Sequence, residues 1–354
     1  MSNRPPGAQT SAVDACRRFL QEILLLEEGE SLLLYTDAGS DRRLVTGLAG
    51  AGASLGVDVE ELDLVGFATL EHRIAALRGA ISRGNHDVLC ELSRQYFYPS
   101  GIWEECVRAG RRVYSAAGID VDVFRRCISN VDQQALREMG NALGALLVSA
   151  GTIRVTTPPG TCLEARMQPS GVYETVLCAL AGSMFGRALR KAGIDQRPII
   201  WAATGFPQRR GGATFMGGQL SLRAIPRSLN GLAVVDGYQW PPAELGRLPR
   251  PLQLEVRRGC VTSIEDSPAL SRWLQDRDTA VEHLCFGFNP GAGLDGSLTE
   301  AERAYGHVNL GFGRYPFHTD GVMRQPTVWF DDELILENHR YIHPDLVEIE
   351  QWLL

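Results

Sequence analysis

Apolar residues follow two rhythms along the chain, and the switches between them predict its elements. Cys16, Phe19, Leu20, Ile23 and Leu24 fall at helical spacing. Glu28-Gly29-Glu30 breaks that helix, and the unbroken run Ser31-Leu32-Leu33-Leu34-Tyr35 then reads as a buried strand. Thr36 to Asp41 offers several helix N-cap residues, Arg43 to Leu55 is helical and rich in Ala and Gly, and Val57 to Leu62 reads as a second strand. Strand, helix, strand at this spacing is the βαβ signature of a parallel sheet. His86 to Leu92 and Arg111 to Ser115 add strands, with Ser100 to Ala109 helical between them. The first part is therefore expected to be α/β and doubly wound.

Leu136, Met139, Leu143, Leu146 and Leu147 mark one long amphipathic helix within Val131 to Ala150. Beyond Gly151 the texture changes to short strands punctuated by Gly and Pro, beginning with Thr152 to Thr157 and the turn Pro158-Pro159-Gly160-Thr161. The expected organisation is a loose leader over 1–12, an N-terminal α/β domain over 13–150, and a C-terminal α+β domain rich in antiparallel strands over 151–354. The clearest local element in the last part is a hairpin, Thr327 to Phe330 and Glu333 to Leu336 around Asp331-Asp332.

Composition narrows the function classes. The 354 residues are 44% hydrophobic, 22% charged and 8% aromatic, enough apolar material for a sizeable core. A formal charge of -7 leaves no basic surplus to neutralise a phosphate backbone, so nucleic acid is not an expected partner. The early run Ile23 to Leu26 is ended by Glu27 and Glu28, far short of a membrane span. Eight cysteines are scattered without a C-x-x-C pair, which suits reduced thiols in a cytoplasmic protein.

Histidine placement carries the chemical signal. Of seven histidines, His283, His307 and His318 fall within a short segment. His318 and Asp320 are two apart, so on a strand both side chains point to one face, within reach of a single metal ion. Imidazole plus carboxylate suits divalent iron, zinc, cobalt or manganese. The bland alternative is that H-x-D arises by chance and that these histidines are surface or hydrogen-bonded core residues. His72, His86, His339 and His343 read as solvated or structural. Gly211 to Gln219 reads as an active-site loop or hairpin turn, without the Lys-Ser/Thr ending of a phosphate loop. No G-x-S-x-G elbow is present, and Cys285, in an apolar run, reads as a buried structural thiol.

Several segments, taken in order, resemble the thermophilic metallo-aminopeptidase family, aminopeptidase T, and its relative 2,5-dihydroxypyridine 5,6-dioxygenase. They are Glu28 to Leu34, Thr156 to Thr161, Gly217-Gly218-Gln219-Leu220 with Pro226, Gly231 and Asp236-Gly237, Gly287-Phe288-Asn289-Pro290, Gly306 to Gly311, and His318-Thr319-Asp320. Where the aminopeptidases carry metal-binding glutamates, this chain has Gln219 and His283. Losing two carboxylates disfavours a pair of closely held dications. The resemblance to the dioxygenase instead implies His283, His318 and Asp320 as a facial triad for Fe(II). It departs at His307, where the dioxygenase has Asn and the aminopeptidases a metal-binding His. It departs again at Thr214-Phe215, where the dioxygenase has a His-Trp pair proposed to handle substrate.

The expectation that results is a mononuclear Fe(II) oxygenase, ring-cleaving, with O2 and a hydroxylated aromatic or heteroaromatic small molecule as partners. Thr214, Phe215 and Gln219 would face the substrate, and His307 with Tyr315 or Arg314 would move protons or steady an oxyanion. The alternative is an aminopeptidase or related hydrolase using zinc or cobalt; a third reading is a metal-free binding protein. Related enzymes imply a homodimer or larger homo-oligomer.

Overall fold

The computed structural model describes residues 12–97, 100–167, 212–222, 227–242, 244–265, 267–313 and 318–354. Their contacts divide the chain into two units. One contains 12–132 with 212–216, the other 133–167 with 217–354. The helix before residue 150, expected to close the first domain, groups with the second unit, where it packs on the C-terminal helix.

The first unit begins with α1 (Ala12–Arg18), which runs on into a wider turn over Phe19–Ile23. Alternation then follows: β1 (Ser31–Thr36), α2 (Arg42–Ser54), β2 (Asp58–Asp63), α3 (Leu70–Arg83), β3 (Val88–Glu91), α4 (Ile102–Arg108), β4 (Arg112–Ser115) and the short α5 (Val121–Phe124). The parallel sheet has the order β2-β1-β3-β4, as a doubly wound fold requires. β1 is central, between β2 and β3, and its apolar run is buried, with Leu33 and Tyr35 packed against α3 and α4; β2, at the edge, is largely exposed and reads D-V-E-E-L-D. Asp41 caps α2 by accepting the Arg43 N–H at 2.9 Å.

A fifth strand, β7 (Gly212–Phe215), completes this sheet by pairing parallel to β4. It corrects the first part of the loop or turn expected over Gly211 to Gln219; Met216 to Gly218 does turn, leading into the strand that begins at Gln219. Two glycines suggest a turn in isolation, but β4 supplies a row of backbone partners that pairs the segment regardless of its side chains.

In the second unit, α6 (Gln133–Ser149) leads to β5 (Thr152–Thr156) and β6 (Cys162–Arg166). Then come β8 (Gln219–Leu222), β9 (Asn230–Val235), β10 (Tyr238–Trp240), β11 (Gly246–Arg247), β12 (Leu252–Arg257), β13 (Cys260–Glu265) and α7 (Pro268–Leu274). The remainder is β14 (Val281–Gly287), α8 (Leu298–Ala301), β15 (Val308–Phe312), β16 (Thr319–Met323), β17 (Thr327–Phe330), β18 (Glu333–Glu337), β19 (Arg340–Tyr341) and α9 (Pro344–Leu353). Two antiparallel sheets form, in the orders β11-β10-β16-β15-β14-β8 and β13-β12-β9-β6-β5-β17-β18-β19. The hairpin read from Thr327 to Leu336 is β17 paired with β18. β15 and β16 are buried along their whole length, so polar residues on them are held in the interior. Among the described residues, no helix is long and apolar enough to cross a membrane.

Candidate metal centre

Three neighbouring strands bring the ligand-type side chains together. β14 and β16 pair with β15 from opposite sides, and Gly311 of β15 is in register with both His283 and Asp320. His318 immediately precedes β16, two positions before Asp320, so the H-x-D pair shares a face as its spacing predicts. A β-bulge between Val281 and His283 re-aims the start of β14 at this point.

His283 Nε2 lies 2.9 Å from Asp320 Oδ1, and His318 Nε2 lies 3.0 Å from Asp320 Oδ2. The two imidazoles meet edge to face, with centroids 4.7 Å apart and planes at 87°. One donor atom from each residue falls within 4.8 Å of the others. Asp320 is fully buried, while the His283 and His318 side chains keep 14% and 26% of their surface exposed. The cluster thus has one accessible side.

Electrostatics ties the three together. Burial opposes charge on each, but His318 and His283 hold the Asp320 carboxyl well below the usual range. Burial likewise opposes protonation of His283, yet Cys285 and Asp320 outweigh it and raise its pKa well above the ordinary value. His318 is raised in the same way, by Asp320. In the absence of a cation these residues therefore form an imidazolium–carboxylate cluster.

The donor set fits a divalent ion. Two ligands at right angles, each about 2.1 Å from a metal, lie about 3.0 Å apart; here one donor atom from each residue lies within 4.8 Å of the others, and each imidazole contacts a different oxygen of Asp320, so a small closing shift would bring the three onto one ion. Asp320 Oδ2 is buried away from water, and its partner is the His318 imidazole at 3.0 Å. A cation between the two would take the place of that contact.

Among the other expected residues, Arg314 and Tyr315 fall outside the described ones. Thr214 and Phe215 are in β7 of the first unit, paired with Tyr114 and Ser115. Gln219 is in register with Gly287, four residues along β14 from His283, or about 13 Å at strand rise. His307 does not join the cluster. It precedes β15 at that same far end, its carbonyl accepting the Gly287 N–H at 3.0 Å. Its Nδ1 donates to its neighbour Tyr305 O at 2.8 Å, and its ring packs 4.8 Å from that of His339. Burial pushes its pKa down to about 4.

Glu302, just beyond α8, is a site residue that sequence reasoning missed. Burial and the nearby Asp320 carboxylate push its carboxyl up to about 7, while Arg303, His283 and His318 pull the other way. Arg303 Nη1 sits 3.3 Å from Glu302 Oε2, and Asn309 Nδ2 donates to the Glu302 carbonyl at 3.0 Å. Nothing in the helical stretch T-E-A-E-R marks this glutamate as buried.

No protein-family model and no curated protein sequence matches the chain. Solved structures do. The chain is similar to 2,5-dihydroxypyridine dioxygenase from Pseudomonas putida KT2440, with 16% identity and a TM-score of 0.70 over 96% of this chain and 100% of that one. It is also similar to AmpT from Thermus thermophilus, with 10% identity and a TM-score of 0.53 over 94% of this chain and 99% of that one. At such identities the likeness establishes a shared fold over nearly the full length, the architecture expected from the segment order.

Proposed function

We propose that this chain is a metal-dependent enzyme, and more finely a mononuclear non-haem Fe(II) oxygenase that cleaves the ring of a hydroxylated aromatic or heteroaromatic small molecule. The supporting observation is the donor set, two imidazoles and one carboxylate converging with one side accessible, which is the arrangement that leaves ligand positions open for O2 and substrate. Among the described residues, no second carboxylate falls within the same ligand reach, which disfavours a two-metal hydrolytic centre. The higher TM-score to the dioxygenase, 0.70 against 0.53, supports the same choice.

His283, His318 and Asp320 would hold the ion, and bound iron would supply the O2 and electron-transfer chemistry that side chains lack. One carboxylate against a dication leaves positive charge to attract an ionised hydroxyl of the substrate. Glu302, whose carboxyl burial and Asp320 push up to about 7, is suited to take up or release a proton beside the cluster. Arg303 fixes it there while donating to the Thr299 carbonyl at 2.7 Å. Arg314 and Tyr315 remain proposed to steady developing oxyanion charge.

The test is anaerobic loading with Fe(II), then oxygen uptake on catechols and hydroxypyridines, alongside hydrolysis of fluorogenic aminoacyl amides with zinc or cobalt. Iron-dependent oxygen uptake is expected with at least one ring compound. Amide hydrolysis without oxygen uptake would overturn the oxygenase reading in favour of an aminopeptidase.

A further inference from the structure

Counting by twos along β14 from His283 reaches Cys285, in register with Ser221 of β8 and Asn309 of β15. Ser221 Oγ and Cys285 Sγ share a hydrogen bond at 2.9 Å, and Cys285, two residues from His283 on the same face of β14, raises the affinity of that ring for a proton. The thiol is fully buried, so its observed partner is the Ser221 hydroxyl rather than water.

Gly311 confines the ring from the strand beside it. A Cβ there would stand 2.3 Å from Nε2 and 2.7 Å from Cδ2 of His283, and 2.8 Å from Asp320 Oδ1. A methyl carbon tolerates no non-bonded neighbour at such distances, so with this ring placement the imidazole occupies space that glycine leaves. The Gly311 backbone is ordinary strand, outside the left-handed region, so the requirement is room rather than conformation.

Metal-bound imidazoles are oriented by a group behind them, usually a carboxylate or a backbone carbonyl on the other ring nitrogen. We propose that Ser221, Cys285 and Gly311 are the positioning residues of His283: a hydroxyl–thiol relay fixes the ring from along β14, and a missing methyl on β15 lets Nε2 reach the Asp320 and His318 donors. This rests on the metal reading above, because it assigns the orientation to ligand duty.

Titration of Co(II) into the full-length metal-free protein, followed by ligand-field absorption, tests it. Cys285→Ala should weaken Co(II) binding roughly 10- to 100-fold and shift the visible bands. Cys285→Ser, which keeps a hydrogen-bonding group, should recover most of both, with thermal midpoints confirming that the variants fold. Identical affinity and bands for wild type and Cys285→Ala would overturn the proposal. Gly311→Ala should abolish the wild-type bands; if it does not fold, the Cys285 pair decides. Should wild type take up no Co(II), the metal reading fails, and crystal structures of the metal-free proteins decide this one: a His283 ring that keeps its orientation in Cys285→Ala overturns it.

Discussion

Two fully buried carboxylates, Glu91 in the parallel sheet and Asp320 in the antiparallel one, show how partners set the use of a charge. Glu91 ends β3 and is surrounded by neutral donors: Ser115 Oγ at 2.6 Å and the Phe97 N–H at 2.8 Å. Burial dominates there, and its pKa is pushed up to about 7. Asp320 faces two imidazoles and is held well below the usual carboxylate range. Neutral donors organise a loop; titratable nitrogen donors make a potential ligand set. Burial alone therefore does not mark a functional carboxylate.

Removing the charge at Asp320 breaks the comparison most severely. Asp320→Asn keeps the shape but loses the anionic donor, and metal affinity measured by calorimetry should fall by more than the roughly 100-fold that loss of a supporting partner costs. Glu302→Gln should retain the metal, by elemental analysis, while turnover drops roughly 10²- to 10⁴-fold, the usual worth of a general acid or base. Glu91→Gln should leave metal and turnover intact and act on stability alone. With a native pKa of about 7 against 4.5 for a free carboxyl, the folded state holds the extra proton between those values. Stability should then fall by about 3 kcal/mol as pH rises through that window and be level above it. Urea unfolding across the window should show Glu91→Gln flattening the slope.

A stability effect of the same size, about 3 kcal/mol, is expected at His307, whose native pKa of about 4 lies below the ordinary 6.5. It contributes a slope of the opposite sign: stability is lost as pH falls from 6.5 toward 4, when the buried ring must charge. His307→Gln should reduce that loss without changing metal affinity.

Much of the architecture was legible because its signals are local. The apolar run at β1 announces a central strand, and the H-x-D spacing puts His318 and Asp320 on one face whatever their neighbours are. What failed to show depends on register between distant segments. His307 and His283 are both histidines near β14 and β15, yet pairing sets them at opposite ends, and no spacing within the sequence encodes that offset. Gly311 has no distinguishing mark in the sequence until β14 and β16 close on either side of it. Cys285 read correctly as buried; its role depends on Ser221, 64 residues away. The β7 segment looked like a loop because its partner strand lies about a hundred residues earlier.

The absent side chain at Gly311 also provides a sorting rule for chains that share this architecture. Any of them with alanine or a larger residue at the matching strand position has no room for an imidazole laid across it, and must draw its donors from a different constellation. One carbon atom, read from an alignment, would then separate the lineages able to carry this histidine from those that cannot.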